Sequence, residues 1–277
     1  GVLQRRELTE KGGRPHVLVM SATPIPRTLA LLLYIDMQVS RITELPKNRL
    51  PIRNAVIQDQ ERQKAYRFLY GEIQRGRQAY LICPMIEKND TIELRNVEEE
   101  LPRLRAVFPK EVRIAGLHGR MKAEEKERVM AAFLRHEIDL LVSTTVVEGG
   151  VDVPNATVML IENAERFGLA TLHQLRGRVG RGNAQSYCIF VQGKKSREGS
   201  ERLRLLASSN DGFEIAAADL KQRGPGELFG AVQSGELTFG LGDIYNDYSV
   251  LQLAKEAVDA LDQADFNLPE VHNKVVL

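Results

Sequence analysis

The sequence predicts an α/β protein: a parallel sheet covered by helices on both faces, followed by a helical C-terminal appendage. Short apolar strands recur at Ala79–Cys83, Val112–Leu117, Asp139–Ser143, Thr157–Ile161 and Ser186–Val191. Between them lie segments of helical spacing, and strands that alternate with helices build parallel sheets. Past Val191 the strands stop and helical periodicity continues alone.

Taken in order, the chain opens with a strand at His16–Met20, the small polar turn Ser21-Ala22-Thr23, and a Leu- and Ala-rich helix over Arg27–Tyr34. Pro24 and Pro26 delay that helix. The turn offers hydroxyls at a strand's carboxyl end, where open α/β sheets place ligands, although on these three residues alone a plain hydroxyl turn is the better explanation. Ile42–Asn54 has two prolines and little periodicity and reads as a linker. Its Lys47, Arg49 and Arg53 either stand in solvent or touch a nucleic-acid backbone. Regular patterning starts near Val56. Glu61–Arg75 puts Tyr66, Leu69 and Ile73 on one helical stripe, and Val97, Leu101 and Leu104 mark a second helix that Pro102 is expected to interrupt. Lys122–Leu134 turns Val129, Met130 and Phe133 inward and EEKER outward. Arg197–Ala207 and Phe213–Gln222 are predicted helices, RGPGELFG a Gly-rich turn, and Val250–Leu261 a helix with Val250, Ala254, Ala257, Val258 and Leu261 on its apolar face. These helices are expected to stand apart from the sheet, and FNLPEVHNKVVL to be a tail or docking arm.

Composition narrows the functional class. Of 277 residues, 43% are hydrophobic and 27% charged, as in ordinary globular proteins. Thirty-eight basic residues against 37 acidic ones leave a net charge of +1, so any nucleic-acid contact must come from local clustering. Cys83 and Cys188 each lie in an apolar run, the setting of reduced core cysteines in a cytosolic protein. No apolar run approaches the roughly 18 residues of a membrane span, and a cytoplasmic location is expected. The chain begins without methionine, inside what reads as an element, and is expected to be part of something larger.

There is no Walker A loop to cradle phosphates; QGKKS near Lys194 lacks its leading Gly and its order. Zinc-protease spacing, paired CxxC and a nucleophile elbow are missing too, so no complete active site is expected here. Three polar turns follow strands instead: His118-Gly119-Arg120; Thr144-Thr145 with Glu148-Gly149-Gly150-Val151-Asp152; and Gln174–Arg181, QLRGRVGR. All three are expected along one edge of the sheet. On a helix at about 100° per residue, Gln174, Arg178 and Arg181 share a face and Arg176 points away. Gly177 and Gly180 are costly in a helix, which suggests that something approaches the backbone closely. Two convergent guanidiniums suit an oxyanion such as phosphate, the alternative being a solvated basic helix end.

SATPIPRTLA, STTVVEGGVDVPNA and HQLRGRVGRG resemble motifs III, V and VI of superfamily 2 helicases, whose second motor domain is RecA-like. ELPKNRLPI, HGRMK, ENAERFGL and the RGPGE…QSG stretch at Arg223–Gly235 resemble the RecG family of branched-DNA helicases, over nearly the whole chain. The transcription-repair coupling factor Mfd shares the motif III turn, motif VI and the helical hairpin, and differs in the linker.

The RecG resemblance implies an ATP-dependent DNA helicase that remodels stalled replication forks and branched recombination intermediates. ATP with Mg²⁺ would be held mainly by a first motor domain upstream, with residues 1–40 its last strand and helix, 41–54 a linker, 55–195 motor domain 2, and 196–277 a translocation hairpin and arm. It implies that Arg178 and Arg181 reach the γ-phosphate, that Gln174 senses it, and that Gly150 and Asp152 lie on the nucleotide. His118, Arg120, Thr144 and Thr145 would grip DNA. Ser21, Thr23, Arg202, Arg223 and Gln233 would couple the parts. Implied partners are forks and Holliday junctions, an N-terminal wedge domain and motor domain 1, with no membrane, for a monomer whose present chain is inactive alone. Gly149 departs from the larger residue usual in motif V and loosens the expected placement of Asp152. An Mfd motor module is one alternative and a non-catalytic DNA-binding or docking module another; the paired arginines argue against the latter.

Overall fold

Six strands form one sheet in the order β1-β6-β5-β2-β4-β3, with every neighbouring pair parallel. They are β1 Arg53–Gln58, β2 Gln78–Ile82, β3 Ile114–Leu117, β4 Leu140–Ser143, β5 Ala156–Ile161 and β6 Tyr187–Gln192. This computed structural model describes residues 49–84, 97–144, 152–193 and 197–223, with positions 18, 20, 40, 42, 249, 250, 252–254, 256 and 257. The strand predicted at His16–Met20 (apart from positions 18 and 20), the turn and helix after it, and the Gly-rich turn after Arg223 lie outside the described residues.

Strands β2, β4 and β5 are buried at every position, because helices cover both sides. Helices α1 (Arg62–Gln74) and α2 (Val97–Val107) press Tyr66, Leu69 and Leu104 onto Leu81, Val142 and Leu160. The opposite face receives α3 (Ala123–Leu134), α4 (Leu169–Arg176), α5 (Arg197–Ser208) and α6 (Gly212–Arg223). There Phe133, Leu172, Leu175, Leu203, Leu206 and Ile215 meet Tyr80, Met159 and Phe190. Each such side chain contributes about 1.5–3 kcal/mol when fully buried. Cys83 and Cys188 are buried, and burial pushes the Cys188 thiol up to about 12, against the influence of Arg176.

Four expectations differ from the structure. Strand β1 includes Arg53 and Asn54, inside the predicted linker; an edge strand with alternating exposure and polar residues carries little apolar signal. Val112 lies in the turn before β3, where its N–H bonds the Pro109 carbonyl, so that strand is shorter than predicted. Pro102 sits inside α2 without ending it, although it forfeits one helical bond; buried Val97 and Leu104 hold the helix on either side of it. Helices α5 and α6 follow the last strand as expected but are not separate from the sheet, since Leu203, Leu206 and Ile215 are core residues. Of the predicted C-terminal helix, Val250, Ala254 and Ala257 are helical and exposed.

A buried ion pair ties the start of α1 to the end of β5. Arg62 donates from Nε to Glu162 Oε1 at 3.0 Å and from Nη2 to Oε2 at 2.8 Å, and Tyr66 donates its hydroxyl to Oε1 at 3.1 Å. Glu162 is fully buried, so removing one partner strands a charge in the core. Arg62→Met is expected to cost about 3–5 kcal/mol of stability, and adding Glu162→Leu to recover part of that loss. Chemical denaturation of the single and double variants measures both.

Candidate functional site

Helix α4 forms because Leu169, Leu172 and Leu175 recur on its inner side, and it ends at Gly177. Gln174 stands on its last turn. Arg178 and Arg181 do not continue the helix, contrary to the predicted single face: after Arg176 the bonding tightens to i→i+3, and the chain then turns at Gly180, whose φ of 73° is left-handed. They sit instead in a compact turn in which the Arg178 N–H bonds the Leu175 carbonyl and the Val179 N–H that of Arg176. Arg181 folds back and donates from Nε to the Gly177 carbonyl at 3.0 Å, while its Nη1 lies 3.6 Å from Asp152 Oδ1. Burial pushes the Tyr80 phenol well above its usual range, opposed by Arg178 and Arg181 and reinforced by Asp152. The two arginines and Asp152, taken from different motifs, thus all lie close enough to Tyr80 of β2 for their charges to act on its phenol.

Close approach to the backbone, expected at Gly177 and Gly180, is found at Gly180 and also at Gly182; a Cβ on Gly177 would stand nearest the Gln174 carbonyl oxygen, at an ordinary 3.4 Å. A Cβ on Gly180 would stand 2.9 Å from Ile52 Cγ1, and one on Gly182 would stand 2.6 Å from the Pro154 carbonyl oxygen. What approaches this backbone is the chain itself.

Arg176 points away from its neighbours, as predicted, and is buried. Its Nη1 donates to the carbonyls of Leu206 at 2.8 Å and Ser209 at 2.7 Å, and its Nη2 lies 3.0 Å from His173 Nδ1. The base of the arginine turn is thereby bonded to the end of α5. The sequence hint was an Arg at the wrong helical phase, placed just before Gly177 and the two other arginines of the turn. Burial, then the Arg176 charge, lowers the His173 pKa to about 4, so the imidazole is neutral and accepts at Nδ1.

His118 and Arg120 follow the carboxyl end of β3, and Thr144 follows that of β4. The Thr144 N–H bonds the Leu117 carbonyl, and its buried hydroxyl has no hydrogen-bond partner among the described residues. The His118 N–H meets the Met121 sulfur, while Arg120 is exposed and 3.8 Å from Glu98. These residues do not share an edge with the arginine turn, contrary to the sequence expectation. Gly180 contacts Ile52 just before β1, Gly182 contacts Pro154 just before β5, and Ser186 leads into β6, so the turn lies at the amino ends of the strands. At about 3.3 Å per residue, the six residues of β5 separate the two ends by roughly 20 Å.

Arg202 donates from Nη2 to the Glu165 carbonyl at 2.9 Å, and Glu165 Oε2 accepts from the Gly193 N–H at 3.0 Å. It fastens α5 to the 3-10 turn Ala164–Arg166 that precedes α4. Arg223 is the last residue of α6. Thr145, Gly150, Ser21, Thr23 and Gln233 lie outside the described residues. Among the described residues no three potential metal ligands converge, and no helix is long and apolar enough to cross a membrane.

The helicase conserved C-terminal domain family matches residues 60–183, so the sheet, with its arginine turn and its second polar edge, is a RecA-like helicase motor domain. Residues 209–276 match the C-terminal part of domain 3 of the ATP-dependent DNA helicase RecG. The RecG helicase of Synechocystis sp. is 50% identical over 280 residues, covering 100% of this chain and 34% of that protein. That of Thermotoga maritima is 46% identical over 271 residues, covering 98% and 35%. A solved structure of RecG bound to a three-way DNA junction shares 43% identity and a TM-score of 0.68, over 87% of this chain and 31% of that one. The chain belongs to the RecG family. It spans about a third of the length of the curated relatives it matches.

The His173 shift has a defined sign. An unfolded chain takes up a proton near pH 6.5 that the folded chain refuses until about 4, so stability falls as the pH drops through that window. His173→Asn keeps an acceptor for Arg176 and removes the titration. Melting curves between pH 7 and 4 are expected to fall less steeply for this variant than for the wild type.

Proposed function

We propose that this chain supplies the second motor domain and coupling helices of an ATP-dependent helicase that remodels forks and other branched DNA. The observation that carries the reading is the arginine turn. Arg181 is oriented at Nε by the Gly177 carbonyl, and Nη1 faces Asp152 only at 3.6 Å, with the Arg181 side chain about a third exposed. A nucleotide γ-phosphate is a stronger anionic partner than a half-exposed carboxylate, so Arg181 transfers to it when the cleft closes. Arg178, half-buried in the same turn, adds the second positive charge. Fixed guanidiniums stabilise the charge that develops as the phosphoryl group passes to water.

The residues described here fit the phosphate end of ATP and contain no Mg²⁺ ligand cluster. In this reading ATP and Mg²⁺ are held mainly by the first motor domain of the same protein, with Gln174, Gly150 and Asp152 completing the nucleotide side. His118, Arg120 and Thr144, at the opposite edge, hold the DNA backbone together with Thr145. Thr144 supports this through a buried hydroxyl that has no partner among the described residues and suits a phosphate oxygen. Arg202, Arg223 and Gln233 relay movement through the helical pair, and Ser21 and Thr23 couple the two motor domains. In this reading the protein is a cytoplasmic monomer, and the present chain hydrolyses no ATP without the rest of the motor.

Arg181→Ala in the full-length protein is expected to lower DNA-stimulated ATP turnover by roughly 10³-fold or more while ATP binding persists. Steady-state hydrolysis and nucleotide-binding titrations check it. Unchanged turnover contradicts the finger role.

A further inference from the structure

Residues 49–52, just before β1, touch two parts of the structure at once. Arg49 donates from Nε to the Gly180 carbonyl at 2.8 Å, and Ile52 packs where a Gly180 side chain would stand. Gln185 Nε2 donates to the Pro51 carbonyl at 2.8 Å, and the Arg53 N–H bonds the Ser186 carbonyl at 2.9 Å. On the other side, Asn210, between α5 and α6, donates from Nδ2 to the Ile52 carbonyl at 3.2 Å and accepts from Asn54 Nδ2 at 3.1 Å. One short run of backbone is bonded both to the arginine turn and to the elbow of the helical pair.

The Gly180 carbonyl belongs to the peptide that immediately precedes Arg181. Gly180 is left-handed and has no side chain, so its own sterics fix this peptide plane less than another residue's would. Arg49 holds its carbonyl from outside the turn. We propose that Arg49 is a positioning residue for the arginine turn: through the Gly180 carbonyl it sets the peptide plane that aims Arg181, and so links the segment entering the domain to γ-phosphate engagement. This rests on the helicase reading above. Arg49 touches no nucleotide in this role, and what matters is the Nε donor and not the positive charge.

That distinction makes the test specific. Glutamine carries an amide nitrogen on the same side-chain carbon that bears Nε in arginine, so Arg49→Gln keeps the donor without the charge, while Arg49→Met removes both at similar length. In the full-length protein, Arg49→Met is expected to weaken binding of ADP with aluminium fluoride, a mimic of the transferring phosphoryl group, by about tenfold. DNA-stimulated kcat falls in parallel, and ADP affinity and melting temperature hold. Arg49→Gln is expected to stay within about twofold of wild type on all four measurements.

The inference is overturned if the Met variant matches wild type, or if Gln is as impaired as Met, which would assign the role to charge on a DNA phosphate. It is also overturned if ADP affinity or melting temperature drops in step with kcat, which would make Arg49 merely structural. Failure of the underlying reading looks different: a wild-type protein with no DNA-stimulated turnover, or one that keeps it in Arg181→Ala, removes the helicase assignment and this inference with it.

Discussion

A parallel sheet obliges every connection to travel the length of the strands and return to the starting edge, and the functional layout of this protein depends on that constraint. Segments that have just left a strand, at His118, Arg120 and Thr144, stand at the carboxyl edge. Segments about to enter one, at Asp152 and Arg178–Arg181, stand at the amino edge. One sheet thus presents two polar surfaces about a strand length apart, and the core between them is closed on both faces by apolar side chains. In the proposed reading, DNA and nucleotide are read at opposite edges of this one sheet, with the packed core between them.

The arginine turn is held chiefly by its own chain. Gly180 and Gly182 admit Ile52 and the Pro154 carbonyl, Arg176 bonds the end of α5, and Arg181 is caught by Gly177. Each contact is modest, about 1 kcal/mol for an ordinary hydrogen bond, and together they leave the turn few alternative conformations. Such preorganisation matters for a group that must meet charge developing elsewhere, since any reorganisation at that moment subtracts from its effect. The same contacts join the turn to α5, α6 and the segment before β1, so its geometry responds to the placement of all three.

Much of this was legible in the sequence. Five of the six strands and the helices over 62–74, 123–134, 197–208 and 212–223 follow from apolar runs and periodicity, because burial on two faces writes a strong signal. Strand β1 was not legible: an edge strand with Arg53 and Asn54 in it looks like linker. The motifs pointed to Arg178, Arg181 and Asp152, and the structure brings Arg181 and Asp152 together. Their placement at the amino edge was not legible, since a residue's position between two strands does not say which edge it occupies until the crossover is traced. The burial of Arg176 and the anchoring of Gly180 by Arg49 were hidden for a related reason, as both depend on contacts between residues far apart in sequence.

The most direct measurement is a structure of the full-length protein with forked DNA and ADP–aluminium fluoride. The account predicts the Arg181 guanidinium within hydrogen-bond distance of the fluoride group, and DNA phosphates at Thr144 on the opposite edge. DNA phosphates seated on Arg178 and Arg181, with the nucleotide distant from both, would contradict it.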